Sequence, residues 1–172
     1  MQRKNKRAVL DVNVWISIFR SDGFRVVRSF IARNTTLLRS QELANELEEV
    51  IRYKKFKWRK PPEYYLRFFY SFTVFVPTVL VFTDCRDPKD NYLFDLAIQS
   101  QADYLVSGDD DVLVTSIPPP TKVISYTQFK ELFYSPKPQL NDTQKTSEKP
   151  QEKGFLAWLK QDLAKFTDRN KK

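Results

Sequence analysis

Short apolar runs, each bounded by polar residues or prolines, recur along the first 134 residues. Such runs are consistent with strands buried inside a sheet, particularly where they are rich in Val, Leu and Ile. They predict five strands, at residues 8–10, 36–38, 79–82, 104–106 and 123–124.

Apolar residues in the intervening segments recur every three or four positions, which is the spacing of a helix with one buried face. Ser40 is a favourable N-cap, and Ser125 with Gln128 has the spacing of a capping box. The predicted helices cover residues 24–33, 40–53, 63–72, 90–98 and 125–133. The helix that begins near Asp90 is expected to bury Leu93, Phe94, Ala97 and Ile98.

The alternation of strand and helix predicts an α/β fold with three layers, in which helices cover both faces of a mostly parallel central sheet. We expect this domain to occupy residues 1–134. Residues 135–152 are polar and contain three prolines, which predicts a flexible linker. Residues 153–172 predict a short amphipathic helix and a basic tail. Its apolar face is expected to pack on the domain or on a partner, through Phe155, Leu159, Leu163 and Phe166.

Composition narrows the possible chemistry. The chain has no histidine and one cysteine, Cys85, which removes the usual partner of a Ser or Cys nucleophile and argues against a Cys-rich zinc site. The net charge of +8 and the pI of 9.5 suit a polyanionic partner, although a basic surface that serves only solubility is the alternative. The single cysteine indicates a reducing, cytoplasmic setting. No apolar run approaches the roughly 20 residues that span a bilayer, so we expect no membrane partner.

Acidic side chains follow the predicted strands. Asp11 and Asp109 come after the first and fourth strands, Asp90 opens the helix after the third, and Glu46 lies on the helix after the second. Each has an ordinary explanation when taken singly, such as a turn or a helix cap. Parallel strands bind ligands beyond their carboxyl ends, however, and four clustered carboxylates need a cation to offset their repulsion. Oxygen ligands favour Mg²⁺ or Mn²⁺.

Four motifs resemble those of PIN domains, in order, over about residues 8–133. Asp11-Val12-Asn13 looks like the opening motif of the family, and residues 40–50 resemble its acidic helix. Residues 87–91 resemble its third block, and residues 102–111 resemble the strand and acidic turn of the branch described as toxin components of toxin-antitoxin systems. The resemblance implies a PIN-like ribonuclease that cuts single-stranded RNA as the toxin of a type II pair. It also implies a homodimer and a cognate antitoxin protein.

The resemblance also implies roles for individual residues. Asp11, Glu46, Asp90 and Asp109 would be the catalytic, metal-binding quartet, and Asp111 is a possible fifth metal ligand. Asn13 and Ser107 would orient a metal-binding carboxylate or the bound water. Two positions remain open, because Glu42 or Glu49 could replace Glu46 if the helix register shifts, and Asp87 competes with Asp90.

A basic and aromatic segment is the candidate RNA-binding surface, because its side chains could contact phosphates and stack on bases. The residues are Lys54, Lys55, Lys57, Trp58 and Arg59. The alternative is a solvated helix end whose Phe56 and Trp58 pack into the core. Two other functions remain open: a PIN-like RNA-binding or scaffold protein without catalysis, and a structure-specific DNA nuclease of the related flap-cleaving kind.

Overall fold

The computed structural model describes residues 5–21, 23–53 and 58–134. In these ranges the helices and strands, in chain order, are β1 (Lys6–Leu10), α1 (Val12–Arg20), α2 (Gly23–Ala32), β2 (Thr35–Arg39), α3 (Gln41–Arg52), α4 (Pro62–Phe72), β3 (Thr73–Phe75), α5 (Asn91–Gln99), β4 (Tyr104–Ser107), α6 (Asp110–Leu113), β5 (Lys122–Ser125) and α7 (Tyr126–Phe133). A 3₁₀ turn, Pro88–Asp90, precedes α5.

The five strands form one sheet in the order β3-β2-β1-β4-β5, and every neighbouring pair is parallel. In the central strand β1, Ala8, Val9 and Leu10 are all fully buried. Successive side chains of a strand point to opposite faces, so this burial requires cover on both sides of the sheet. The predicted α/β fold with flanking helices is confirmed.

The strand order contains a topological switch. The chain proceeds from β1 outward through β2 to β3, then crosses to the other side of β1 to form β4 and β5. β1 and β4 are therefore neighbours whose following segments diverge in opposite directions. Parallel sheets bind ligands in the crevice beyond the carboxyl ends of such a pair.

Aromatic contacts hold the helices together around the sheet. Trp15 of α1 meets Phe69 of α4 edge-on, with ring centroids 5.0 Å apart, and Phe30 of α2 meets Phe129 of α7 at 4.6 Å.

The predicted helix caps are confirmed. The buried Ser40 hydroxyl accepts a hydrogen bond from the Leu43 N–H, and α7 begins with the capping box of Ser125 and Gln128.

Three features of the secondary structure differ from the prediction. The strand predicted at 79–82 is wrong: the third strand is Thr73–Phe75, and Val79, Leu80 and Val81 are 61–71% exposed. Side chains of α5 bind this segment instead, since Gln99 donates to the carbonyl of Val79 and accepts from its N–H. Ile98, predicted to be buried, is exposed. Helices α1 and α6 were not predicted at all.

The predicted linker at 135–152 and the predicted helix and tail at 153–172 lie outside the described residues, so they stay predictions. Within the described ranges, no helix is both long and apolar enough to cross a membrane.

Candidate functional site

Asp11 is positioned by the backbone of the central strand pair. β1 and β4 are in register up to Leu10 and Val106, and the Asp11 N–H continues the ladder by donating to the Val106 carbonyl at 2.9 Å. The chain then turns into α1, with Asp11 as the residue before the helix. The Asp11 side chain therefore lies at the switch point, and the residue is only 5% exposed.

Neutral donors hold the Asp11 carboxylate. Ser107 Oγ donates to Asp11 Oδ2 at 2.5 Å, and Asn13 Nδ2 donates to the same oxygen at 2.6 Å. Asn13 is itself fixed, because its Oδ1 accepts the Gly108 N–H at 3.0 Å. Asn13 and Ser107 both contact the Asp11 carboxylate, and their predicted role in orienting a metal-binding carboxylate or a bound water stays a prediction.

The turn after β4 places Asp109 beside Asp11. Ser107 Oγ accepts the Asp109 N–H at 2.9 Å, and Asp109 Oδ1 accepts the Asp111 N–H at 2.8 Å, which caps α6. Asp111 forms an ion pair with Arg86 at 2.8 Å and is not among the residues that line the cleft described below. Its metal-binding role stays a prediction.

Glu46 is held from a different helix. Tyr92 of α5 is buried, and its hydroxyl donates to Glu46 Oε2 at 2.6 Å. Burial, together with the neighbouring Glu46 carboxylate, raises the pKa of Tyr92, so the phenol remains a donor. The sequence prediction missed Tyr92, because this contact joins residues 46 positions apart and leaves no local pattern.

The structure separates the competing acids. Glu42 accepts a hydrogen bond from Thr78 and lines a second cavity, and Glu49 is exposed. Asp87 accepts the Lys89 N–H and begins the 3₁₀ turn. Glu46 and Asp90 are the members of each alternative that reach the cleft with Asp11.

The four predicted carboxylates line one open cleft of about 400 Å³ at the switch point. Each comes from a different segment: the end of β1, helix α3, the 3₁₀ turn and the turn after β4. The nine lining residues are Asp11, Val12, Asn13, Ile16, Arg20, Glu46, Val50, Asp90 and Asp109.

Burial and the charges of neighbouring acids raise the pKa of two of these carboxylates, Asp90 and Asp11. Burial raises the pKa of Asp90 to about 7, with further increases from the charges of Asp11, Asp87, Asp109 and Glu46. The pKa of Asp11 is raised as well, first by burial and then by Glu46, although the Ser107 hydrogen bond opposes the increase. A cation in the cleft would reverse these effects.

The residues present fit a hard divalent cation in charge and in donor type, because the carboxylates supply the oxygen ligands that Mg²⁺ and Mn²⁺ prefer. Within the described ranges, no three His, Cys, Asp or Glu side chains are grouped closely enough to hold a metal ion. The fit therefore rests on charge and donor chemistry, not on a closed coordination shell.

The predicted RNA-binding segment is only partly described. Trp58 donates from Nε1 to the Ile51 carbonyl at 2.9 Å, and its ring lies 5.1 Å from that of Tyr65. This packing matches the structural alternative for Trp58. Arg59 is exposed, and an RNA contact by it stays a prediction. The predicted RNA contacts of Lys54, Lys55 and Lys57 lie outside the described residues.

Comparison with known families gives one result. A family model described as PIN domain matches residues 7–111, which is more than half of the 172-residue chain and includes all four carboxylates of the cleft. No curated protein matches the chain.

Proposed function

The chain belongs to the PIN-domain family, and on that premise we propose that it is a divalent-metal-dependent endoribonuclease that hydrolyses phosphodiester bonds of single-stranded RNA. PIN domains are generally nucleases and generally use divalent metal ions. The observation that carries the proposal is the convergence of Asp11, Glu46, Asp90 and Asp109 on one cleft.

These four carboxylates would hold Mg²⁺ or Mn²⁺. When bound, such an ion lowers the pKa of a coordinated water and neutralises charge on phosphate oxygens. The protein contributes orientation: Ser107 and Asn13 fix Asp11, and Tyr92 fixes Glu46. Because the chain contains no histidine, proton transfer at this site falls to carboxylates and water.

The biological role we propose is that of the toxin in a type II toxin-antitoxin pair, acting as a homodimer in the cytoplasm. The support is the resemblance of residues 102–111 to the acidic turn of the toxin branch. An antitoxin chain that covers the cleft would keep the nuclease silent. The net charge of +8 supports RNA as the substrate, because a positive field concentrates polyanions.

The decisive experiment is cleavage of labelled single-stranded RNA by the full chain with Mg²⁺ or Mn²⁺, compared with EDTA. Asp11→Asn and Asp109→Asn should each lower cutting by about a thousandfold. Asp110→Asn is the matched control, because it removes an equal, exposed charge from the next residue, outside the cleft lining. RNA that is bound but never cut would favour the non-catalytic binder, and cutting confined to DNA junctions would favour the DNA nuclease.

A further inference from the structure

The cleft extends away from the acids along a groove between α1 and α3. Asn13, Ile16 and Arg20 line it from α1, and Glu46 and Val50 line it from α3. Residues three or four positions apart share a helix face, so these side chains form two facing stripes. Along α1 the lining residues run from Asn13 through the half-buried Ile16 to the exposed Arg20, and along α3 they run from Glu46 to the half-buried Val50.

This order of charges suits a polyanion that passes through the groove. Single-stranded RNA carries one negative charge per phosphate, and a metal held by the carboxylates would neutralise only the phosphate at the cutting site. The next phosphate along would meet an acidic surface unless another cation faced it. Arg20 is the one lysine or arginine among the nine residues that line the cleft.

We propose that Arg20 binds a backbone phosphate that flanks the scissile bond, with Ile16 and Val50 beneath the intervening nucleotide. A guanidinium group matches phosphate oxygens with two parallel hydrogen bonds, and apolar side chains accept the face of a base. This subsite rests on the proposed function for its substrate class. It also sets a minimum length for the substrate.

The minimum length of the substrate follows from the position of Arg20 at the end of α1. Arg20 is eight residues beyond Val12, the first residue of α1, which corresponds to about 12 Å along a helix axis at 1.5 Å per residue. A substrate must therefore extend past the scissile phosphate to reach Arg20. RNA too short to span the groove should lose the Arg20 contribution and bind no better to the wild-type chain than to a variant without the guanidinium.

Binding separates this subsite from catalysis. We would measure the anisotropy of a labelled single-stranded RNA with full-length Asp109→Asn protein in Mg²⁺, where cutting is prevented, and add Arg20→Gln. We expect affinity to fall about tenfold, because a charge-assisted contact is lost. The slope of log affinity against log salt should become shallower by about 0.7, the value for one phosphate on a single strand. Arg67→Gln on α4 is the matched control, because it removes an exposed arginine outside the cleft lining.

The phosphate itself is located by replacing one phosphate at a time with an uncharged methylphosphonate. With Arg20 present, one position beside the cutting site should weaken binding, and that penalty should disappear in Arg20→Gln. Equal effects of Arg20→Gln and Arg67→Gln, or a penalty that persists without Arg20, would overturn the subsite. Wild-type protein that binds but does not cut would overturn the nuclease alone. No RNA binding by the parent variant would overturn the subsite together with its substrate class.

Discussion

Asp103 and Asp11 lie at opposite ends of the same pair of parallel strands, β1 and β4. At the amino end, Asp103 accepts hydrogen bonds from the Lys6 ammonium at 2.7 Å and from the Arg7 N–H at 2.9 Å. The hydrogen bond to Asp103 raises the pKa of Lys6. At the carboxyl end, Asp11 is more deeply buried and accepts from the neutral Ser107 and Asn13, and its own pKa is raised.

The two ends differ in how the charge of each acid is balanced. Asp103 has a cationic partner supplied by the chain, so its charge is satisfied within the fold. Asp11 is held by neutral donors and shares its cleft with other acids, and desolvation together with the charge of Glu46 disfavours its ionised form. Such an arrangement lowers the stability of the fold unless a cation is added. Acids with a raised pKa are common at functional sites.

Replacing the Asp11 or the Asp103 carboxylate with an amide should give the largest difference between the two ends, in cleavage and in stability. We expect Asp11→Asn to lower RNA cleavage about a thousandfold, the scale of loss when one electrostatic group of an active site is removed. Its melting temperature without metal at pH 8 should not fall, because a destabilised charge is removed. Asp103→Asn should keep its cleavage activity and lose about 1 kcal/mol of unfolding free energy with the Lys6 pair.

Cleavage assays and thermal melts of both variants test this contrast. The comparison fails if Asp11→Asn is the variant that melts early, or if Asp103→Asn is the variant that stops cutting.

A smaller effect should come from Tyr92→Phe, which removes the neutral donor of Glu46 and keeps the ring. Residues that orient a metal-binding side chain typically change metal affinity about 10- to 100-fold. The Mg²⁺ concentration for half-maximal cleavage should therefore rise by about tenfold, and cleavage at saturating Mg²⁺ should largely recover.

The control for Tyr92 is Tyr126→Phe, since Tyr126 lies on α7, outside the cleft lining. A loss of activity in Tyr92→Phe that added Mg²⁺ does not restore would show that Tyr92 supports the fold and not the position of Glu46.

The smallest expected effect is a pH dependence of stability without metal. Asp90 has an ordinary pKa of 3.8 that rises to about 7 in the folded chain. An acid whose pKa is raised by folding stabilises the folded chain fully below about pH 4, and this stabilisation is lost as pH rises towards 7. The chain in EDTA should therefore unfold more easily at pH 8 than at pH 5. Because it has no histidine, few other groups titrate in that window.

Thermal melts at the two pH values test this expectation. Asp90→Asn should reduce the difference, Asp103→Asn should leave it intact, and Mg²⁺ should raise the melting temperature at pH 8. A melting temperature in EDTA that is constant or increases between pH 5 and pH 8 would contradict the prediction.

Features that depend on local sequence could be predicted. Asp11 directly follows an apolar run, and Asp109 follows one after Ser107 and Gly108, so their place at the edge of a parallel sheet could be predicted from order alone. The caps at Ser40 and Ser125 are equally local, because each side chain bonds a backbone N–H three residues ahead.

Features that depend on contacts between side chains distant in the sequence could not be predicted. Apolar residues at 79–82 look like a strand, but Gln99 and Asp95 of α5 bind their backbone groups in place of a neighbouring strand. The Tyr92 hydrogen bond to Glu46 and the place of Arg20 in the cleft depend in the same way on how helices pack. Helix α1 is a different case, since Trp15, Ile18 and Phe19 have the local spacing that predicts a helix.

Asp11 follows the last residue of β1, and Asp109 lies beyond the end of β4. Their carboxylates therefore stand outside the strand ladder, which is built from backbone groups and the apolar side chains beneath it. In evolutionary terms, the chemistry and the scaffold can be inherited separately: a lineage could replace these acids and still pass on a folded protein. Membership of the family then indicates the inherited architecture. The presence of each acid in the cleft indicates whether the catalytic residues were inherited with it.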